Sequence, residues 1–563
     1  MASLDQSQLD KALAEPPFSA ADRAIVRYLS EDLKESNNWI LFAGALANLA
    51  IRQGHAFLDL EVPQNLARVL VRYAHDWPTI SQWESYLADS PALGIPSSEE
   101  PLVLQKPNAL YLRKYFHHEE RLSQLLSERC VQKAEVGSAK ASLIQTALSQ
   151  SFFVITGGPG TGKTTIALQY LKAFLESWKE DYPARIAAVA PTGKAAARLE
   201  ESIGDGIGRL DASEPIIEEL KKTPTLTIHR LLGTIPNQVS FKRDQDNQID
   251  YDIIVIDECS MIDLPLMRRL FEATPADCAT LLLGDKDQLS SVQVGSVFKD
   301  ILHASEFPGS SLHDKVYRLS KTYRFREDSR IYQACQAARS GNVESLATLA
   351  KESSEDFAFI PLEPTIKRLP KSLIAKAVKR IRSLADSSSP QIALSTINQS
   401  IILTTTRVGP FGSSALNQEI EKTIRGPHSP FGDSPIHACP IIVLENNYEL
   451  ELFNGDLGIL WKDKDERYSA WFASASGAFK RVSINDLPKH ETAFALTIHK
   501  SQGSEFDETT VLISPQESDL LSRELIYTAF SRSKTRLEIY ANPETLNAAI
   551  QRQVHRATRL ADR

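Results

Sequence analysis

Nine residues, Gly157-Gly158-Pro159-Gly160-Thr161-Gly162-Lys163-Thr164-Thr165, fit the pattern G-x-x-x-x-G-K-[ST]. The chemistry this serves is the gripping of a phosphate chain. Glycines let backbone N–H groups turn inward onto phosphate oxygens, and a helix N-terminus behind them adds partial positive charge. At these spacings Lys163 reaches the β- and γ-phosphates and the Thr164 hydroxyl holds Mg²⁺. Downstream, the β-branched run Ile253–Ile256 ends in Asp257-Glu258. An acidic pair at the carboxyl end of a buried strand supplies the other half of an ATPase: Asp257 binds Mg²⁺ through water, and Glu258 orients or deprotonates the attacking water. Gln288, in Gly284-Asp285-Lys286-Asp287-Gln288-Leu289, either senses the γ-phosphate through its amide or belongs to a plain polar turn.

These residues need strands and helices to hold them. The apolar run Phe152–Thr156 predicts a buried strand before the glycine loop, and Thr164–Glu176 predicts a helix after it. Arg185–Ala190 predicts a strand closed by Pro191-Thr192-Gly193-Lys194, with a helix from Ala195, and Thr280–Leu283 another strand. Such alternation implies an α/β fold with a parallel sheet covered by helices, binding its ligands at the carboxyl ends of the strands. The polar stretch Thr234–Asp250 holds Val239–Lys242, read as one strand of a small hairpin. A second α/β unit opens at Ile401–Thr404, resumes at Ala493–Phe506, and closes with Glu524–Arg532 and the strand Leu537–Tyr540. Between its halves, from about Gly426 to His490, the short runs Pro440–Leu444, Gly455–Leu460 and Tyr468–Phe472 suggest a small β-barrel. Residues 1 to about 110 read as mostly helical, as do 111–150. His55, after Gly54, reads as structural because no second metal ligand lies nearby. The cluster Arg318, Lys321, Arg324 and Arg326 reads by itself as a solvated face.

At 563 residues the chain holds several domains, since one core rarely grows past roughly 250–300 residues. Its net charge of −8 argues against a protein that coats nucleic acid over its whole surface, and leaves room for a local basic groove. Five cysteines without C-x-x-C spacing fit a reducing compartment with no disulfide framework or zinc site. The longest apolar run, Trp39–Ile51, is too short to span a bilayer, and the N-terminus carries no signal core, so a cytoplasmic protein with no membrane partner is expected.

Taken together the motifs resemble the RecD family, the alpha subunits of exonuclease V (the RecBCD helicase-nuclease), within the first helicase superfamily. The resemblance runs from Ser151 to about Tyr540. It rests on GGPGTGKTT, APTGKAAARL (Ala190–Leu199), TIHRLLG, IDECSMID (Ile256–Asp263), GDKDQLSSVQVGSVF (Gly284–Phe298), LSKTYRF (Leu319–Phe325), GPFG (Gly409–Gly412), FNGDLGI (Phe453–Ile459), TIHKSQGSEF and YTAFSRSK. The front-end phrases GHAFLDL and PLVL…LYL add to it. Stand-alone RecD-type helicases usually carry a longer front end with helix-hairpin-helix modules; none is visible, which favours the complex-bound form.

The resemblance implies two RecA-like lobes with ATP and Mg²⁺ in the cleft between them. Residues 136–345 would form lobe 1A, with 234–250 as a short pin. Residues 346–425 and 491–563 would form lobe 2A, and 426–490 an SH3-like insert. Residues 1–110 would dock RecB-like and RecC-like subunits, and 111–135 would be a linker. With no catalytic residue in it, the front end is expected to be dispensable for ATP turnover. Arg324 and Arg532 would be arginine fingers, Glu505 would contact the ribose, and Thr192, Lys194, His229, Thr405, His499 and Gln502 would lie near single-stranded DNA. The implied activity is 5′→3′ translocation and unwinding, entered at a 5′ end, in double-strand break repair and recombination. Two rival readings are a regulatory subunit with an incidental ATPase gating a partner nuclease, and a stand-alone DNA or RNA helicase. No nuclease constellation stands out. The pattern breaks at Lys140, where the family's adenine-reading Gln aligns, with Gln145 a turn later; lysine has donors but no acceptor for a two-way amide contact. It also breaks at Cys259, where alanine is usual and a small thiol is tolerated.

Overall fold

The computed structural model describes all residues except 1–3, 62–76, 96, 131–142, 236–237, 327, 398, 427–434, 448, 474–478, 517, 519 and 563. Two parallel sheets organise it. The first runs β10-β5-β9-β8-β6-β7, built from β5 (Phe152–Gly157), β6 (Ile186–Ala190), β7 (Thr225–Thr227), β8 (Ile253–Ile256), β9 (Ala279–Gly284) and β10 (Val316–Leu319). The second runs β11-β20-β19-β12-β18, from β11 (Phe357–Pro361), β12 (Ser400–Thr404), β18 (Ala495–Thr497), β19 (Phe506–Leu512) and β20 (Ser533–Ala541). Every pairing in both sheets is parallel. Helices cover both faces of each. Successive side chains of a strand point to opposite faces. Phe152, Val154, Ile254 and Ile256 accordingly enter one core, and Phe153, Ile155, Ile253 and Val255 the other. This is the expected α/β architecture of two lobes.

Between β12 and β18 lies a five-stranded antiparallel sheet, β16-β15-β14-β13-β17, formed by β13 (Cys439–Val443), β14 (Leu457–Lys462), β15 (Tyr468–Ala473), β16 (Phe479–Ser483) and β17 (His490–Thr492). Among the described residues no pairing joins β16 to β17. Its apolar face, with Ile441, Ile459, Phe472 and Val482, merges into one core with Ile402, Leu512 and Tyr540 of the second lobe.

The structure departs from the sequence reading in several places. The front end carries the expected helices but is not helical alone. It contains a four-stranded sheet, β1-β4-β3-β2, from β1 (Leu58–Asp59), β2 (Leu93–Gly94), β3 (Leu102–Gln105) and β4 (Ala109–Leu112), beside the buried helix Asn38–Arg52. Val239–Lys242 is not a strand; a single bridge joins Thr234 to Phe241. The helices Arg330–Ser340 and Val343–Leu349 do not belong with the first lobe. Their Ile331, Ala334, Leu346 and Leu349 share a core with β11, β12 and β19, so the change of lobe falls before residue 330, not at 345. Nor does the second lobe keep the chain to its end. After the helix Pro543–Gln551 the tail runs back over the first lobe and the front end, where Arg556 donates to Gln293 O and Gly295 O, each at 2.6 Å, and Thr558 to Asp300 at 2.8 Å. Leu560 enters the first lobe's core.

His55 is structural, as read. It is buried, and its Nδ1 accepts the Ala557 N–H at 3.0 Å, which requires a neutral ring; burial, with Arg556 nearby, holds its pKa down to about 4. Ala56 N–H donates to Ala557 O at 2.8 Å and Gly295 N–H to Gly54 O at 2.9 Å. The GHAFLDL phrase is therefore a seat for the tail and for the loop after Gly284. Phe57, Val103 and Tyr111 lie in the same core as Phe152 and Ile254. A cut at residue 110 thus runs through β4 and opens the first lobe, which argues against a dispensable front end. Large side chains are worth roughly 1.5–3 kcal/mol each when fully buried. A chain lacking residues 1–110 is expected to melt far below the full chain and to lose ATP turnover together with its stability. Thermal unfolding and steady-state hydrolysis on both chains check this; an unaltered melting point with full turnover would restore the detachable-domain picture.

Candidate nucleotide site and interlobe junction

β5 delivers the glycine loop to the sheet's carboxyl edge and the helix Lys163–Ser177 begins at its end. Gly160 (φ +72°) and Gly162 (φ +81°) take the left-handed turns that bring the loop round. At Gly160 a Cβ would also strike the Arg324 side chain at 2.2 Å, so the loop and Arg324 are packed against one another. Thr161 Oγ1 donates to Gly158 O at 2.9 Å, and Lys163 Nζ donates to Gly157 O at 2.8 Å and Gly158 O at 3.1 Å.

The loop forms one wall of a cavity of about 340 Å³. Pro159 to Thr165 line it, together with Asp257, Glu258, Gln288, Arg324, Glu505 and Arg532. The sequence-assigned residues for phosphate, metal and water therefore meet in one place, with Gly157 and Gly158 leading into the loop. β8 brings Asp257 and Glu258. Asp257 accepts the Glu258 N–H at 2.7 Å; burial first, and then the Glu258 charge, push its carboxyl up to about 6, against the pull of Lys163. Two carboxylates facing a cavity that also holds the Thr164 hydroxyl suit a divalent cation.

The second lobe closes the cavity. Arg532, two residues past the helix Arg523–Phe530, is 2% exposed. Its Nη2 donates to Gln288 Oε1 at 2.8 Å, Nη1 to Ser504 O at 3.1 Å, and Nε to Thr528 O at 3.1 Å. Gln288 is thus part of the interlobe contact rather than a plain turn. Glu505 is paired with both Arg324 and Arg198. Burial alone would raise its carboxyl, but the two guanidinium groups hold it at about 2. Further pairs tie the lobes: Arg339 to Asp287 at 2.6 Å and Lys299 to Glu524 at 2.9 Å.

The six nucleic-acid candidates follow strand ends of the two parallel sheets, β6, β7, β12 and β18, but differ in setting. His499 is exposed. Thr192 caps the helix Gly193–Ile207, accepting the Ala195 N–H at 3.2 Å. His229 stands edge-on to Phe241, 5.7 Å between rings, and burial lowers its pKa. Gln502 donates to Leu289 O at 3.3 Å, across the lobes. Thr405 is buried with an unpaired hydroxyl. Lys194 does not lie open in a groove. Its Nζ is buried without a hydrogen bond, and burial brings its pKa down to about 8, partly offset by Asp456 of the insert. Phe453 of the insert packs so closely on Gly193 that a Cβ there would meet it at 2.6 Å.

Three site residues escaped the sequence reading. Tyr323 is 73% exposed, donates its N–H to Gly160 O at 2.7 Å, and holds its ring beside Gly162. Its adjacency to Arg324 was the available signal. Arg198, one helical turn after Lys194, pairs with Glu505. Tyr527 reaches across the lobes to Asp285. Lys140 lies outside the described residues; Gln145 sits in the helix Leu143–Leu148. Cys259 is fully buried, and burial raises its thiol well above its usual range, so it packs and does not react. Among the described residues no helix is long and apolar enough to cross a membrane.

Three family models match the chain: the AAA domain over residues 140–294, the UvrD-like helicase C-terminal domain over 492–540, and the RecBCD enzyme subunit RecD N-terminal domain over 15–111. The chain is 34% identical to RecBCD enzyme subunit RecD of Mycobacterium tuberculosis, covering 93% of this chain and 91% of that protein. It is 33% identical to the protein of the same description from Mycolicibacterium smegmatis, covering 96% and 97%. It is 27% identical to the ATP-dependent RecD2 DNA helicase of Deinococcus radiodurans, covering 74% of this chain and 50% of that protein. Among solved structures, Pif1 helicase from Bacteroides in complex with ADP-AlF3 and ssDNA is similar at a TM-score of 0.38 and 16% identity, covering 72% of this chain and 92% of that chain. With a front-end match and a third of its residues shared over nearly its whole length, the chain belongs to the RecD family of RecBCD enzyme subunits.

Proposed function

We propose that this chain is the ATP-driven 5′→3′ motor subunit of a RecBCD-type helicase-nuclease, acting in double-strand break repair and recombination. It is an ATP-dependent DNA helicase. The observation that carries the reading is the single cavity in which Lys163, Asp257 and Glu258 of one lobe face Arg532 of the other. Phosphoryl transfer is catalysed mainly by placing positive charge around the transferred group. Gly157 to Thr165 cradle the phosphates, with Lys163 on the β- and γ-oxygens. Thr164 and Asp257 would hold Mg²⁺, which would supply further positive charge against the phosphates. Glu258 orients the attacking water, Gln288 reads the γ-phosphate, and Arg324 and Arg532 supply charge from across the cleft. Glu505 holds Arg324 and Arg198, with which it pairs, and would contact the ribose. The exposed Tyr323 ring offers a face for a base, a contact indifferent to what occupies position 140.

Thr192, Lys194, His229, Thr405, His499 and Gln502 would lie along single-stranded DNA, with Lys194 freed when the insert shifts. The antiparallel insert would be the SH3-like module, 234–250 the pin, and the front end the face for RecB-like and RecC-like subunits, in the cytoplasm. ATP turnover with and without single-stranded DNA, on the wild-type chain and on Lys163→Gln, tests the reading. Stimulated turnover that vanishes in Lys163→Gln is expected; turnover indifferent to DNA would leave only the regulatory alternative. Polarity is tested on partial duplexes with a 5′ or a 3′ tail, with any partner motor inactivated. Unwinding from the 5′ tail alone is expected, and unwinding from the 3′ tail alone ends the polarity claim.

A further inference from the structure

Behind the glycine loop a buried chain of polar groups crosses from one lobe to the other. Tyr527, in the helix Arg523–Phe530, donates its Oη to Asp285 Oδ2 at 3.0 Å. Gln288 Nε2 donates to the same oxygen at 3.1 Å. The other end of that amide, Gln288 Oε1, receives Arg532 Nη2 at 2.8 Å. Tyr527, Asp285, Gln288 and Arg532 are all buried, at 3%, 2%, 6% and 2% exposure. The remaining Asp285 oxygen accepts the Asp287 N–H at 3.1 Å, and Leu289 N–H donates to Thr528 Oγ1 at 3.0 Å.

We propose that Tyr527 is a positioning residue that sets the arginine finger Arg532 through Asp285 and Gln288. The inference rests on the function proposed above. A carboxamide has a donor end and an acceptor end, and a carboxylate only accepts. Asp285 therefore takes the Gln288 NH₂ end and leaves its oxygen for Arg532, which only donates. Turned the other way, the amide would present N–H groups to a guanidinium that has no acceptor. Asp285 can hold this orientation only while it stays a buried acceptor, and the Tyr527 hydroxyl supplies its second donor. Burial raises the phenol's pKa well above its usual value, so the hydroxyl stays a donor. Tyr527 also touches the phosphate loop itself: a Cβ on Gly158 would meet Oη at 3.0 Å. One hydroxyl thus sits at the loop, at the Gly284–Leu289 segment and on the helix that leads into Arg532. It can register whether all three are in place.

The test is Tyr527→Phe, which removes the hydroxyl and keeps the ring. Loss of a buried hydrogen bond to a charged group predicts a fall in DNA-stimulated kcat of about 10- to 30-fold, with ATP affinity within about twofold of wild type. A merely structural tyrosine would lower stability and rate without regard to Arg532, so the decisive measurement is a cycle. In the Arg532→Ala background Tyr527→Phe is expected to change the residual rate less than twofold, because the group it positions is gone. Asp285→Asn, which spoils the same anchor, is expected to behave likewise and serves should Tyr527→Phe not fold. Wild-type kcat in Tyr527→Phe, or an equal loss with and without Arg532, overturns the inference. If the wild-type chain has no DNA-stimulated turnover, the proposed function itself fails. If it has, and Arg532→Ala abolishes it while Tyr527→Phe does not, only the positioning role fails.

Discussion

Arg532→Ala is expected to bind ATP within about tenfold of wild type and to hydrolyse it, with single-stranded DNA present, roughly 10³-fold or more slowly. An arginine supplied across a cleft stabilises charge that develops in the transition state, and this is worth roughly 10³–10⁵ in turnover. The structure gives Arg532 the setting such a role needs. It comes from the second lobe, lines the same cavity as Lys163 and Asp257, and is 2% exposed. Its guanidinium is held at three corners, by Thr528 O, Ser504 O and Gln288 Oε1, so it needs no reorganisation when ATP arrives. Arg532→Lys is expected to recover little: one ammonium cannot hold three diverging acceptors and face the phosphate as well. Lys163→Gln is expected to differ by losing affinity along with rate, since in the proposed site Lys163 would grip the phosphates in the ground state as well. Nucleotide affinity, steady-state turnover and melting temperature on the same preparations separate these outcomes. Turnover in Arg532→Ala within about threefold of wild type would falsify the finger assignment and leave Arg324 to fill the role.

The candidate nucleotide site was legible because its signals are local. Gly160 and Gly162 are needed for backbone geometry, and β5 and β8 are unbroken apolar runs because both their faces are covered. Strands whose environment is set from afar were not legible. β19 reads Phe-Asp-Glu-Thr-Thr-Val-Leu, yet Thr509 and Thr510 are buried because β12 and β20 flank them on either side. β10 lies at a sheet edge with Tyr317 and Arg318 exposed, so it shows neither alternation nor an apolar run. β1 and β2 are two residues long, too short for any period. Helical spacing in Arg330–Ser340 announces a helix, but nothing in Ile331 or Ala334 says which of two sheets it will face. The tail after Gln551 is polar, and its role appears only where Ala557 meets His55, 502 positions earlier in the chain. At the site the same rule applies: Lys163, Asp257 and Glu258 come from motifs, while Tyr527 joins it through an oxygen 242 positions away.

Glu258→Gln and Glu258→Gly are expected to be equally inactive and unequally stable. A group that orients or deprotonates the attacking water contributes roughly 10²–10⁴-fold, and both substitutions remove it. They differ in the backbone. Glu258 stands at φ +54°, ψ +39°, in the left-handed region, at the turn between β8 and the short helix Cys259–Met261. A residue with a Cβ pays about 1–2 kcal/mol to stay there. The turn holds because Glu258 N–H donates to Asp257 Oδ1 at 2.7 Å and Met261 N–H to Glu258 O at 3.0 Å, and it carries the carboxylate away from β8 into the cavity. Backbone strain of this kind, kept at a site of chemistry, is what function extracts from stability. Glutamine keeps the strain and the shape but not the charge. With the like charge gone, Asp257 ionises more readily, so Mg²⁺-dependent nucleotide binding should survive. Glycine relieves the strain, while the looser unfolded chain gives back roughly 0.4–1 kcal/mol. The net expectation is a Glu258→Gly chain that melts no lower than wild type and turns ATP over as poorly as Glu258→Gln. Calorimetry and steady-state hydrolysis on the three chains read both halves. A Glu258→Gly chain that melts well below wild type would show that the left-handed turn is not strained. A Glu258→Gln chain within a few-fold of wild-type turnover would remove Glu258 from the water's side of the reaction.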